Sequence, residues 1–165
     1  MTLRLVIMGV SGCGKSSVGL ALSYRLGMAW CDGDDLHPTE NVEKMRAGQP
    51  LTDADRWPWL DRVAAELRVR APLIIGCSAL KRGYRDRLRA GAGGPLQFVH
   101  LTGDRALIAA RLAQRQDHFM PFALLDSQLA ALEPPGPDEA WTVPIDQPLA
   151  QQINRIVAAL QTLPG

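Results

Sequence analysis

The stretch Gly9-Val10-Ser11-Gly12-Cys13-Gly14-Lys15-Ser16 follows an apolar run, Leu3 to Met8, and precedes a helix-forming segment that opens at Ser17. The spacing Gly-x-x-x-x-Gly-Lys-Ser between a strand and a helix predicts a loop that wraps phosphate groups. Glycines supply the dihedrals such a wrap demands, and the helix N-terminus behind it adds positive potential. Lys15 brings a mobile point charge for the β- and γ-phosphates, and the Ser16 hydroxyl is suited to Mg²⁺. Residues Gly9 to Ser17 are therefore the expected nucleotide contacts.

Strands and helices alternate through the rest of the chain. Leu3–Met8, Ala29–Cys31, Pro72–Cys77, Leu96–Leu101 and Trp141–Asp146 read as strands, most of them continuous apolar runs of the kind buried on both faces of a parallel sheet. Helical patterns fill the gaps: Ser17 to Leu26 with Gly27 as its stop, Thr39–Ala47, Asp53–Arg70, a polar helix reaching Leu88 or Arg89, one carrying Leu107 to Leu112, Phe122–Leu132 and Pro148–Leu160. Thr52 or Asp53 caps the third of these, although Pro58 suggests a start nearer Arg56. Pro144 confines the last strand to an edge. The expected architecture is a single α/β domain of three layers, a five-stranded parallel sheet flanked by helices. Ligands gather beyond the carboxyl ends of such strands, which collects Lys15-Ser16, Asp32-Asp34, Ser78-Lys81 and Gly103-Asp104 on one rim.

Composition narrows the partners. At 165 residues, 47% hydrophobic and 21% charged, the chain can bury a full core. A formal charge of +1 gives no reason to invoke nucleic acid or a membrane surface. There is no apolar segment of about 18 residues, and Met1-Thr2-Leu3-Arg4 leads straight into a strand, so neither a membrane span nor a signal peptide is expected. Cys13, Cys31 and Cys77 are odd in number and widely spaced, which fits reduced thiols in the cytoplasm better than a disulfide framework.

Further blocks carry a resemblance. Asp32-Gly33-Asp34-Asp35-Leu36-His37-Pro38 is followed by Asn41, Lys44 and Met45. Then come Gly48-Gln49-Pro50-Leu51-Thr52-Asp53, Asp55-Arg56-Trp57-Pro58-Trp59-Leu60, and Cys77-Ser78-Ala79-Leu80-Lys81 with Tyr84-Arg85. Arg115-Gln116-Asp117-His118-Phe119-Met120, Leu125, Ser127-Gln128 and Leu132-Glu133 complete the set. With the phosphate loop, these blocks resemble the gluconokinase family, part of the shikimate-kinase-like group of small P-loop kinases. The family pattern more often has serine where Cys13 stands, a change that keeps the backbone N–H. The resemblance implies a cytoplasmic enzyme, frequently homodimeric, that phosphorylates D-gluconate to 6-phospho-D-gluconate with ATP and Mg²⁺.

The resemblance, with the chemistry of phosphoryl transfer, assigns roles. Lys15 neutralises the transferring group. Asp32 joins Ser16 at the metal, and Asp34 orients the acceptor hydroxyl and takes its proton. Asp35 is read as a cap. A carboxylate substrate calls for cations, so Arg56, Lys81 and Arg85 are candidates, with His37 and Ser78 for hydroxyls. Arg56 and Lys81 are expected on opposite sides of the substrate cleft. Substrate-binding helices span approximately 37–70. A mobile lid spans approximately 115–132, with Arg115 over the phosphates, Arg111 as a second phosphate contact, and His118 and Gln128 near substrate. Trp57 and Trp59 are expected to pack these helices. Asp146-Gln147-Pro148 falls near the base. Two other readings stay open: a kinase for another small hydroxylated metabolite, and a noncatalytic nucleotide-binding regulatory module.

Overall fold

The computed structural model describes residues 2–114 and 122–164. Its strands are β1 (Arg4–Met8), β2 (Ala29–Asp32), β3 (Leu73–Gly76), β4 (Gln97–Thr102) and β5 (Ala140–Pro144). They form one parallel sheet in the order β2-β3-β1-β4-β5. The helices are α1 (Lys15–Leu26), α2 (Thr39–Arg46), α3 (Asp53–Val69), α4 (Arg82–Gly91), α5 (Arg105–Gln114), α6 (Phe122–Ala131) and α7 (Leu149–Leu160), with a 3₁₀ turn at Gly33–Leu36.

The central strands bury nearly every side chain: Leu5 to Met8 and Leu73 to Ile75 are fully covered. Continuous apolar strands need helices on both faces, and right-handed crossovers supply them. The step from β1 to β2 runs opposite to the steps from β2 to β3 and from β3 to β4, so their helices lie on opposite faces. Accordingly α1 packs with α7, and α3 packs with α4. Strand β5 is at an edge, where Pro144 takes a place that needs no donor on its outer side.

Helix ends follow local chemistry. Gly27 stops α1 in the left-handed conformation, φ 65°. Helix α3 starts at Asp53, not near Arg56, because Thr52 and Asp55 form a reciprocal capping box: the Thr52 hydroxyl accepts from Asp55 N and the Asp55 carboxylate from Thr52 N. Pro58 is carried inside the second turn. Lys44 donates to the same Asp55 carboxylate at 2.7 Å, tying α2 to the head of α3. A small apolar cluster of Met45, Leu51 and Leu124 joins α2 and the α2–α3 turn to α6.

Candidate active site

Three features of the loop after β1 make it an anion cradle. Gly9 and Gly14 hold φ of 146° and 99°, and a Cβ on Gly9 would come 2.9 Å from the Leu101 carbonyl oxygen. Gly14 caps α1 without any side-chain bond. Among the described residues, the N–H groups of Gly12, Gly14, Lys15, Ser16 and Ser17 donate to nothing. Unused donors at a helix N-terminus are what phosphate oxygens require. Cys13 is fully buried beneath the loop, so the thiol packs inward. Lys15 Nζ donates to the carbonyls of Gly9 (2.9 Å) and Val10 (3.1 Å), lying across the loop it serves.

A cleft of about 470 Å³ opens in front of this loop. Ser11 to Val18 form its floor, Asp32 and Asp34 one side, and Arg111, Gln147, Leu149 and Gln152 the other. Arg111 is anchored by donating to the Ile145 carbonyl at 2.8 Å. Ser16 Oγ stands 3.5 Å from Asp32 Oδ2, while Asp32 Oδ1 accepts from Asp34 N and caps the 3₁₀ turn. That cap is Asp32; Asp35 is exposed instead. No group of three or more His, Cys, Asp or Glu that could hold a metal exists among the described residues. One hydroxyl and one carboxylate beside a phosphate site nevertheless match Mg²⁺, which takes few protein ligands and completes its shell with water and phosphate.

Beside the cleft lies a smaller hollow of about 30 Å³. Lys15, Ser11 and Asp34 border both spaces. His37, Arg56, Ser78 and Gln128 also line the hollow, as do Trp59 and Leu124. Residues that follow β1, β2 and β3 thus meet residues of α3 and α6 at one point.

Arg56 is 9% exposed. One guanidinium nitrogen, Nη1, donates to the Leu51 carbonyl (2.9 Å) and to the Tyr84 hydroxyl (3.0 Å). Among the described residues Nε and Nη2 have no acceptor, and no carboxylate lies within ion-pair distance. A buried cation left in that state is costly unless an anion reaches it.

His37 is held by two neighbours. Its ring stacks on Trp59 at 4.0 Å between centroids, and Trp59 Nε1 donates to the Gly33 carbonyl at 2.8 Å. Asn41 Nδ2 donates to the Asp55 carbonyl and also faces His37 Nδ1 at 3.1 Å. A carbonyl can only accept, so this end of Asn41 is its amino group, and His37 Nδ1 is the acceptor. The ring proton therefore sits on Nε2, which faces Asp34 Oδ1 at 4.0 Å. Burial, helped by the Arg56 charge, lowers the His37 pKa to about 4, so this histidine is neutral near pH 7.

The structure does not bring every expected residue here. Lys81 pairs with Asp53 at 3.3 Å; Asp53 also accepts from the Tyr84 hydroxyl that receives Arg56. Lys81 thus connects to the hollow only through that chain and lines neither space. Arg85 is fully buried and spent elsewhere. It pairs with Glu139 at 2.6 Å and donates to the Ala79 and Glu133 carbonyls. Ala79 has φ 48°, so Arg85 clamps a left-handed turn that follows Ser78, and it lines neither the cleft nor the hollow. Gln128 accepts from Ser11 N at 2.7 Å and so touches the phosphate loop as well as the hollow. Arg115 and His118 lie outside the described residues, as do Phe119 and Met120. The sequence reading missed Asn41 as an orienter of His37, and missed Gln152 in the cleft wall. Asn41 stands in a family-like block that assigns it no role, and Gln152 stands in none; only the three-dimensional contact reveals each.

A phosphate-wrapping loop, a carboxylate at the junction and a second, polar hollow define a small-molecule P-loop kinase. A protein-family model described as an AAA domain matches residues 5–135. The gluconokinase of Gluconobacter oxydans (strain 621H) is 52% identical over 139 residues, covering 82% of this chain and 78% of its own. The thermoresistant gluconokinase of Escherichia coli (strain K12) is 47% identical over 150 residues, 87% and 85% of the two chains. The crystal structure of a gluconokinase from Sinorhizobium meliloti 1021 superposes with a TM-score of 0.88 at 48% identity, covering 96% of this chain and 91% of that one. The chain belongs to the gluconokinase family.

Proposed function

We propose that the chain transfers the terminal phosphoryl group of ATP to the 6-hydroxyl of D-gluconate, giving 6-phospho-D-gluconate and ADP. The observation that carries this reading is Arg56: a buried guanidinium without an anionic partner among the described residues, in a hollow that shares Asp34 and Lys15 with the phosphate cleft. A sugar acid supplies both what Arg56 lacks and what Asp34 needs, a carboxylate at one end of the molecule and a hydroxyl at the other. The relatives named gluconokinase support the same substrate.

In this reading the free N–H groups of the loop hold the β- and γ-phosphates, and Lys15 leaves its carbonyls to neutralise charge on the transferring group. Asp34 orients the hydroxyl and accepts its proton as the new O–P bond forms and the bond to ADP breaks. His37 Nε2–H faces Asp34 across 4.0 Å from a ring locked by Trp59 and Asn41. Ser16 and Asp32 would hold Mg²⁺, which would supply positive charge against the charge that develops during transfer. Arg111 serves the phosphates from the opposite wall, and we keep Arg115 and His118 as lid contacts on the strength of the family resemblance. Homodimeric assembly and a cytoplasmic location rest on that resemblance too.

The test is a substrate panel with Mg-ATP: gluconate, its epimers, glucose, shikimate and nucleosides, read by both ADP release and product mass. Gluconate is expected to be the preferred acceptor, with phosphate on its 6-oxygen. Equal efficiency with glucose, or ADP release without a phosphorylated acid, would overturn the assignment.

A further inference from the structure

Helix α6 is moored to three other elements. Its Leu124 packs with Met45 and Leu51, which border the hollow beside it. Just past its end, Glu133 N donates to the Leu80 carbonyl at 2.8 Å, and the Glu133 carboxylate accepts from Arg82 N at 2.9 Å. That fastens the helix to the turn between β3 and α4. Arg105, the first residue of α5, meets Asp126 through two hydrogen bonds of 2.6 and 3.1 Å. Among these moorings Gln128 reaches the phosphate loop: Ser11 N donates to its Oε1 at 2.7 Å, across 117 residues of chain.

That bond joins the two ligand sites. Ser11 borders both the cleft and the hollow, and Gln128 borders the hollow. A backbone N–H can only donate, so the end of the carboxamide at the loop is its oxygen. Ser11 immediately precedes the stretch whose unused N–H groups, from Gly12 onward, present themselves to phosphate. Its backbone position sets where that row of donors begins. Gly9, Gly12 and Gly14 all hold positive φ, so this loop is rich in residues that lose the most backbone freedom when fixed.

We propose that Gln128 is a positioning residue that couples the two sites: an acceptor filling the hollow holds α6, and with it the Gln128–Ser11 bond, so that the phosphate loop binds nucleotide more tightly. This rests on the acceptor reading above and deepens it. The arrangement that Gln128 holds is the one that presents the loop donors, so stabilising it favours nucleotide and lowers the ordering cost that phosphate binding must meet. By linkage, nucleotide strengthens acceptor binding by the same factor. Ser127 borders the hollow from the same helix, but its hydroxyl donates to the Leu124 carbonyl at 2.9 Å and makes no bond to the loop.

Titration calorimetry with Mg-ADP and D-gluconate tests this without turnover, ADP having no γ-phosphoryl group to transfer. Wild-type protein is expected to bind ADP at least about 5-fold more tightly in saturating gluconate than without it, and gluconate should gain equally from saturating ADP. Gln128→Met, which keeps length and removes both polar ends, should bring each ratio to within about 1.5-fold of unity. Ser127→Ala, which alters the hollow and spares the loop bond, should keep the wild-type ratio. A residue that only supports the fold or only contacts gluconate would change stability or affinity and leave the ratio as it was. An unchanged ratio in a folded Gln128→Met protein would therefore overturn the coupling and leave the kinase reading intact. A wild-type ratio near unity would do the same, even if the variant failed to fold, and an equal loss in Ser127→Ala would overturn the part given to Gln128. Failure of gluconate to bind with or without ADP would overturn the acceptor reading together with the coupling.

Discussion

Replacing Arg56 by methionine keeps the aliphatic stem and removes every donor. Two opposing effects act on the fold. The Leu51 and Tyr84 bonds are lost, worth about 1 kcal/mol each, while a buried charge with no counterion is relieved. Stability should therefore change by no more than about 2 kcal/mol. Binding has no such compensation, because the carboxylate loses its only buried cation among the described residues that line the hollow, apart from Lys15 at the phosphate border. A charge-assisted bond broken in a desolvated site costs about 2–5 kcal/mol, so the KM for gluconate should rise at least about 30-fold. Calorimetric ADP affinity should stay within about threefold of wild type, since the loop donors are untouched. Arg56→Lys, which keeps the charge and loses the planar fork, should fall between the two. The assay is ADP release against gluconate concentration at saturating Mg-ATP, with a urea titration of each variant. A folded Arg56→Met enzyme whose gluconate KM moves by less than about threefold would refute the argument.

Asp34→Asn should lower kcat by at least about 100-fold with ADP affinity nearly unchanged, and normal turnover would remove Asp34 as proton acceptor. Gly19→Ala would put a Cβ 2.0 Å from the Trp30 ring, which is wedged between Gly19 and Gly76; a loss of more than about 2 kcal/mol by urea unfolding is expected, and a wild-type midpoint would contradict it. His37 and His100 are both buried, with pKa values lowered from 6.5 to about 4, chiefly by desolvation. Between those values the unfolded chain binds protons that the folded one refuses, so stability is full above pH 6.5 and falls as pH drops toward 4. From pH 8 to pH 5 this amounts to about 2 kcal/mol per histidine, visible as a lower urea midpoint; an unchanged midpoint at pH 5 would show that the rings are not held neutral.

The sheet was legible because parallel strands covered on both faces leave no polar alternation to misread. Leu3–Met8 and Pro72–Cys77 contain the strands Arg4–Met8 and Leu73–Gly76, differing only at their ends. Pro144 gave away the edge for an equally local reason, its missing donor. The head of α3 was harder, since Pro58 and the Thr52–Asp55 box are competing local signals six residues apart. The box prevails because it satisfies two orphan backbone donors, while a proline in the second turn gives up one bond.

Cations resist such reading. Arg56, Lys81 and Arg85 look alike in sequence: each lies in a family-like block and each could meet a carboxylate. What separates them is the acid that folding delivers. Glu139 arrives from 54 residues away to neutralise Arg85, and Asp53 from 28 residues away to hold Lys81. Neither pairing has a local signature, because both depend on how α4 docks against α3 and against the turn before β5. Among the described residues Arg56 is the one of the three for which folding brings no acid, although only 9% of it stays exposed. Burial without a counterion is unstable on its own terms, and its persistence at a hollow shared with Asp34 and Lys15 is why we propose that the missing charge belongs to the substrate.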